Sequence, residues 1–215
     1  PMIVRFFPLF LISLLTGFFL ACSNTTQDAQ VKSAEAKPSE KNEKKAVEGE
    51  IKQAEAIALI EVGNISGTGF FISADGLLLT SHQLISKENC NLKACPGVKV
   101  IQNFAATGTS QVFTSLKLIA ANAELDFALL KVDLGSLKTV PFVDPSTDYN
   151  FSAELTDVSY LTLGHPFGAP LKMNVFRLAQ RVSPAKLNFS TILLPGSTGA
   201  PILSEKVSGK RYLVG

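Results

Sequence analysis

Apolar residues are spread along this 215-residue chain in three textures. From Phe6 to Ala21 they form an almost unbroken run, preceded by one positive charge at Arg5. From Ser23 to about residue 50 the chain is mostly Lys, Glu, Ala, Ser, Asn and Gln, with no aromatic residue and only Val31 and Val47 as larger apolar side chains. From about Ile51 short apolar runs recur, bounded by Gly, Asn, Asp and Pro. They fall at 56–63, 67–73, 76–81, 97–103, 111–120, 126–132, 158–163, 172–180, 187–193, 200–204 and 211–214. Runs of this length and spacing predict β-strands. No long amphipathic helix and no internal repeat interrupts them, and one short helix is expected near 82–87. The pattern predicts an all-β fold, a barrel or a sandwich.

The first texture is short for a membrane span and suits the core of a secretory signal. It ends at Phe19-Leu20-Ala21-Cys22, which resembles a bacterial lipobox, in which the cysteine is lipidated and becomes the mature N-terminus. Residues 1–22 are therefore expected to be a lipoprotein signal peptide with a lipidated Cys22; the alternative is an ordinary cleaved signal followed by a spare cysteine. Ser23 resembles the sorting signal for the outer membrane, because an aspartate at that place retains lipoproteins at the inner membrane. Pro1 precedes Met2, the natural start. Residues 23–52 cannot bury enough apolar surface to offset their ordering entropy, and are expected to form a disordered tether.

Composition adds little beyond this. The N-terminal run inflates the 46% hydrophobic content, and the formal net charge of +2 comes without a basic tract interleaved with aromatics. Nucleic acid is not an expected partner. Cys90 and Cys95 lie in the polar segment KENCNLKACPG. In an exported protein such a pair reads as a small disulfide, and a metal site would need further ligands. No glycine-rich phosphate loop and no zinc spacing occurs, so neither cofactor nor metal is expected.

Three stretches carry candidate chemistry: GTGFFISADGLLLTSHQL (67–84), ELDFALLKVD (124–133) and PGSTGAPIL (195–203). In order and wording they resemble the trypsin-like, chymotrypsin-fold serine proteases, closest to the bacterial Deg-type periplasmic branch. The resemblance covers about 56–215. It implies a trypsin-like double six-stranded β-barrel with the active site in the cleft between the barrels. The first barrel would take 53–134, the inter-barrel connection 135–154 and the second barrel 155–215. In that family a strand opening like Leu213-Val214-Gly215 continues, so the second barrel is expected to be incomplete within this chain, with an open edge.

A serine protease needs a nucleophile, a base, an acid that orients the base, and donors for the oxyanion. Asp126 stands at the orienting position, before Ala128-Leu129-Leu130-Lys131. The family's T-x-x-H places the base at Gln83, whose amide is no base near neutral pH, while His82 stands one residue early. In extended structure a one-residue shift reverses the side chain, unless a bulge restores it. The family's G-x-S-G-x-P places the nucleophile at Thr198, and Ser197 stands one residue early. Gly196, Gly199 and Pro201 keep the usual frame, and the backbone N–H groups of Gly196 and Thr198 would form the oxyanion hole. Gly164-His165-Pro166-Phe167-Gly168 resembles the loop near the oxyanion side, with His165 a loop residue rather than a substitute base. Thr191 to Leu194 would line the specificity pocket, where no acid occurs, which implies a preference for small or apolar residues.

Three readings follow. The first is a lipid-anchored protein of the bacterial cell envelope, at the outer membrane facing the periplasm. Its trypsin-like domain is proteolytically inactive or impaired and binds a peptide or an unfolded protein segment in the cleft. The second is an active serine-type endopeptidase using the shifted pair His82 and Ser197, or Thr198, with Asp126. The third is a scaffold lipoprotein whose cleft is unused.

Overall fold

The computed structural model describes residues 53–88, 90–104, 107–145, 159–183, 186–204 and 211–215. The expectations for the signal peptide, Cys22 and the tether lie outside these residues, as does part of the inter-barrel connection.

Eleven strands account for about half of the described chain. They are β1 (Ile57–Val62), β2 (Ile65–Phe71), β3 (Leu77–Thr80), β4 (Val98–Phe104), β5 (Thr109–Phe113), β6 (Leu116–Asn122), β7 (Phe127–Val132), β8 (Ser159–Gly164), β9 (Lys172–Ser183), β10 (Lys186–Phe189) and β11 (Ile202–Ser204). One helical turn, α1 (His82–Ile85), follows β3, and a 3₁₀ turn at Pro166–Gly168 follows β8. β1 to β7 form a seven-stranded antiparallel sheet in the order β5-β4-β1-β2-β3-β7-β6. β5 and β6 lie at opposite edges of this sheet, yet only Thr114 and Ser115 separate them in sequence. A two-residue link spans on the order of 10 Å, so the sheet has to curl until Phe113 and Leu116 approach at that corner. The run at 111–120 read as one strand is thus two, and the first barrel has seven strands where six were expected. The second sheet has the order β10-β9-β8-β11.

Period-2 alternation sorts the side chains between three cores. On β7 Ala128, Leu130 and Val132 turn inward, joined by Ala58, Ile60 and Val62 of β1, with Phe71, Leu78, Val100 and Phe113. Phe71 and Phe113 meet edge to face, with ring centroids 6.2 Å apart. β1 and β2 are buried on both faces. Their opposite side chains, Ile57 and Phe70, pack with Leu161 of β8 and Leu203 of β11. That layer joins the two sheets. Tyr160 of β8 turns away from it, into a smaller cluster with Phe176 and Leu178.

The segment after β8 enters the junction between the sheets. His165 is buried, with its Nδ1 3.0 Å from the Ala169 carbonyl. Its Nε2 has no partner among the described residues. Burial pushes the imidazole below its ordinary value near 6.5, against a smaller opposing pull from the Ala169 carbonyl. The ring is therefore neutral, with Nδ1–H donating to that carbonyl.

Two outcomes test this packing. Phe71→Ala removes a fully buried ring and should cost about 3–5 kcal/mol in urea unfolding, whereas Val112→Ala, half exposed on β5, should stay within about 0.5 kcal/mol of the parent. Because the folded pKa of His165 is depressed, the unfolded chain binds the extra proton in the window between that value and about 6.5. Stability should fall as pH drops through this window. The loss between pH 7.5 and pH 5.5 should shrink in His165→Gln, and an equal loss in both proteins would contradict the assignment.

Candidate active site

The site is built where α1, the turn before β7 and the 195–199 loop approach one another. Ser81 caps α1, its Oγ accepting from the Gln83 N–H at 3.2 Å, as serine does at helix N-termini. The same hydroxyl donates to both carboxylate oxygens of Asp126, at 2.9 and 2.8 Å. The Gln83 N–H also donates to Asp126 Oδ1, at 2.8 Å. Asp126 itself stands at φ 52°, a left-handed conformation that aspartate tolerates better than most residues. Its carbonyl accepts from the His82 N–H at 3.3 Å.

This geometry separates the two candidate bases. Gln83 is the residue whose backbone reaches the Asp126 carboxylate, and its side chain is exposed. His82 is half-buried and reaches Asp126 only through its backbone N–H. No hydrogen bond of the His82 ring occurs among the described residues, to Asp126 or to Ser197. Among the described residues the Asp126 carboxylate accepts from a serine hydroxyl and a main-chain amide, and from no imidazole.

Four consecutive carbonyls of the 195–198 segment accept hydrogen bonds, three from Phe167 and Thr68 and one from within the loop. Pro195 O accepts from the Phe167 N–H at 2.6 Å, and Thr198 O from the Thr68 N–H at 2.8 Å. Gly196 O accepts from Thr68 Oγ1 at 2.7 Å, and Ser197 O from the Ala200 N–H at 3.0 Å. Carbonyl and N–H of a trans peptide point in opposite directions. The N–H groups of Gly196 and Thr198, on the peptides whose carbonyls belong to Pro195 and Ser197, thereby point away from Phe167 and Ala200, and Gly196 itself is buried. Neither N–H group has an acceptor among the described residues. Two glycines make this possible. Gly196 (φ 93°) leaves no room for a Cβ against the His165 carbonyl, and Gly199 (φ 83°) none against the Thr68 carbonyl. Thr198 is exposed and Ser197 half-buried, and neither hydroxyl makes a hydrogen bond among the described residues.

Thr68 is the residue that sequence reasoning missed. It is fully buried, accepts the His165 N–H on Oγ1 at 3.0 Å, and receives the Thr80 hydroxyl on its carbonyl at 2.7 Å. The available signal was a threonine at an inward position of an otherwise apolar strand. Ser81 was also missed, although a serine directly before a short predicted helix is a capping signal.

Asp126, Ser81 and Gly199 line one pocket of about 480 Å³ with Phe70, Leu79 and Phe127. Ile192, Leu193 and Leu194, just before the loop, are exposed. A disulfide joins Cys90 and Cys95, beyond α1. Among the described residues no three of His, Cys, Asp and Glu cluster as metal ligands.

Comparison with known proteins agrees with this architecture. The serine endoprotease from Yersinia pestis superposes with a TM-score of 0.56 at 15% identity, covering 75% of this chain and 53% of that one. Deg5 superposes with a TM-score of 0.56 at 19% identity, covering 79% of this chain and 82% of its own. At such identities the likeness speaks for the fold, and the chain spans about half the length of the Yersinia enzyme. No curated protein sequence matches this one. Residues 67–210 match the family described as the trypsin-like peptidase domain. That match takes in all three motifs, Asp126 and the whole 195–199 loop, and the chain belongs to the trypsin-like peptidase family.

Proposed function

We propose that this protein is a lipid-anchored component of the bacterial cell envelope, at the outer membrane facing the periplasm, with a proteolytically inactive trypsin-like domain. Its cleft holds a peptide or an unfolded protein segment without cutting it. The observation that carries this reading is the Asp126 carboxylate, which accepts from Ser81 Oγ and the Gln83 N–H and from no imidazole. A hydroxyl at 197 or 198 then has no base to take its proton, and a neutral alcohol is a poor nucleophile. Losses of this kind are large. In subtilisin, an unrelated serine protease, removing either the serine or the histidine costs about 2 × 10⁶ in turnover. What remains is the binding half of the machinery: N–H groups at 196 and 198 without an acceptor among the described residues, a pocket with Phe70, Leu79 and Phe127 in its walls, and exposed apolar residues just before the loop. The lipid anchor rests on Leu20-Ala21-Cys22 and the apolar run before it.

Two outcomes check the two halves of the proposal. Incubation of the purified protein with casein should release no more fragments than a buffer blank. Cleavage that disappears in Thr198→Ala, Ser197→Ala or His82→Ala would contradict the inactive reading. In a Gram-negative host fed an alkyne-tagged palmitate, the full chain should take up label, and Cys22→Ala should lose it. Labelling unchanged in Cys22→Ala would remove the anchor from the account.

A further inference from the structure

We infer that the ligand of this site is a peptide bound by its free C-terminal carboxylate, with an apolar last residue, rather than an internal stretch of chain. The inference rests on the peptide-binding reading above and adds the chemical class of the ligand. It begins from the hydrogen-bond balance of the 195–199 loop. All four carbonyls from Pro195 to Thr198 accept hydrogen bonds from within the fold. The N–H groups of Gly196, Thr198 and Gly199 donate to no described residue. The Ser197 N–H donates to the Leu194 carbonyl and the Ala200 N–H to the Ser197 carbonyl, both at 3.0 Å. The three N–H groups left over are the donors of an anion-binding concavity of the kind backbone amides make.

The ligand's charge follows from what the loop lacks. An internal peptide carbonyl is neutral, and its interaction with such donors strengthens only as it becomes an oxyanion, which requires an attacking nucleophile. With no base to activate Ser197 or Thr198, that charge never develops. A carboxylate brings its charge with it, and charge-assisted hydrogen bonds are roughly twice as strong as neutral ones. Capture of a C-terminal carboxylate by backbone amides is an established mode of peptide recognition. Asp126 is the one acidic side chain lining the adjoining pocket, and both its oxygens are engaged by Ser81 and one also by the Gln83 N–H.

The surroundings set the last residue. The pocket beside the loop is walled by Phe70, Leu79 and Phe127. Ile192 is 86% exposed and Leu193 and Leu194 about half exposed, directly before Pro195. Such a surface gains by covering aliphatic side chains.

The test compares two forms of one probe on the full chain: dansyl-labelled Ala-Ala-Ala-Ala-Ala-Leu with a free carboxylate, and the same peptide as its C-terminal amide. The acid should bind at least about tenfold more tightly, and replacing the final leucine by serine should weaken the acid form. Gly196→Ala, shown to be folded by circular dichroism, should lose the preference for acid over amide. Equal binding of acid and amide would overturn the carboxylate inference and leave the peptide-binding reading standing. Binding of neither form would overturn both.

Discussion

Thr68 holds this structure together at its most consequential point. Its amide donates to Thr198, its hydroxyl donates to Gly196 and accepts from His165, and its carbonyl accepts from Thr80. Every polar group of the residue is spent, and the side chain is fully buried. The partners come from β3, from the end of β8 and from the 195–199 loop, so one residue of the first sheet fixes the position of the second. A buried polar group left without its partner costs about 1–3 kcal/mol, more than the net gain of most single hydrogen bonds. That asymmetry makes the junction intolerant of partial displacement. It also explains why Gly196 and Gly199 are glycines, since the loop is drawn so close that a Cβ at either position meets backbone.

The same constraint separates what the domain retains from what it lacks. Thr68 and Phe167 hold three of the loop carbonyls inward whether or not a nucleophile is present. The triad depends on side chains that no such packing enforces. A glutamine at 83 keeps the backbone hydrogen bond to Asp126 intact, and a threonine at 198 leaves its carbonyl on Thr68. The fold therefore accommodates both residues without losing these contacts, while on the proposed reading the chemistry does not survive them. On that reading the domain keeps its architecture without its reaction.

Much of the fold was legible in the sequence, for physical reasons that vary by element. β7 reads clearly because Ala128, Leu130 and Val132 alternate with outward positions. β1 and β2 read as continuous apolar runs because two cores claim their opposite faces. The division of 111–120 into β5 and β6 was hidden. Thr114 and Ser115 are ordinary strand residues, and only closure of the sheet makes a corner of them. The end of β10 at Phe189 was hidden too, since Ile192, Leu193 and Leu194 look like a core strand and stand exposed instead. At the site, the frame of Gly196, Gly199 and Pro201 was readable. The left-handed turn at Asp126 and the serine that occupies its carboxylate were not, because both depend on residues far apart in sequence meeting in space.

On the proposed reading this domain presents an anion-binding loop without an activated hydroxyl. Reaction of the folded protein with a fluorophosphonate probe, followed by peptide mapping, tests it most directly, because the probe requires both a working nucleophile and donors for the developing charge. The account predicts no covalent adduct at any residue of the loop. An adduct mapped to Ser197 or Thr198 would contradict it, and would mean that a base reaches the loop despite the arrangement around Asp126.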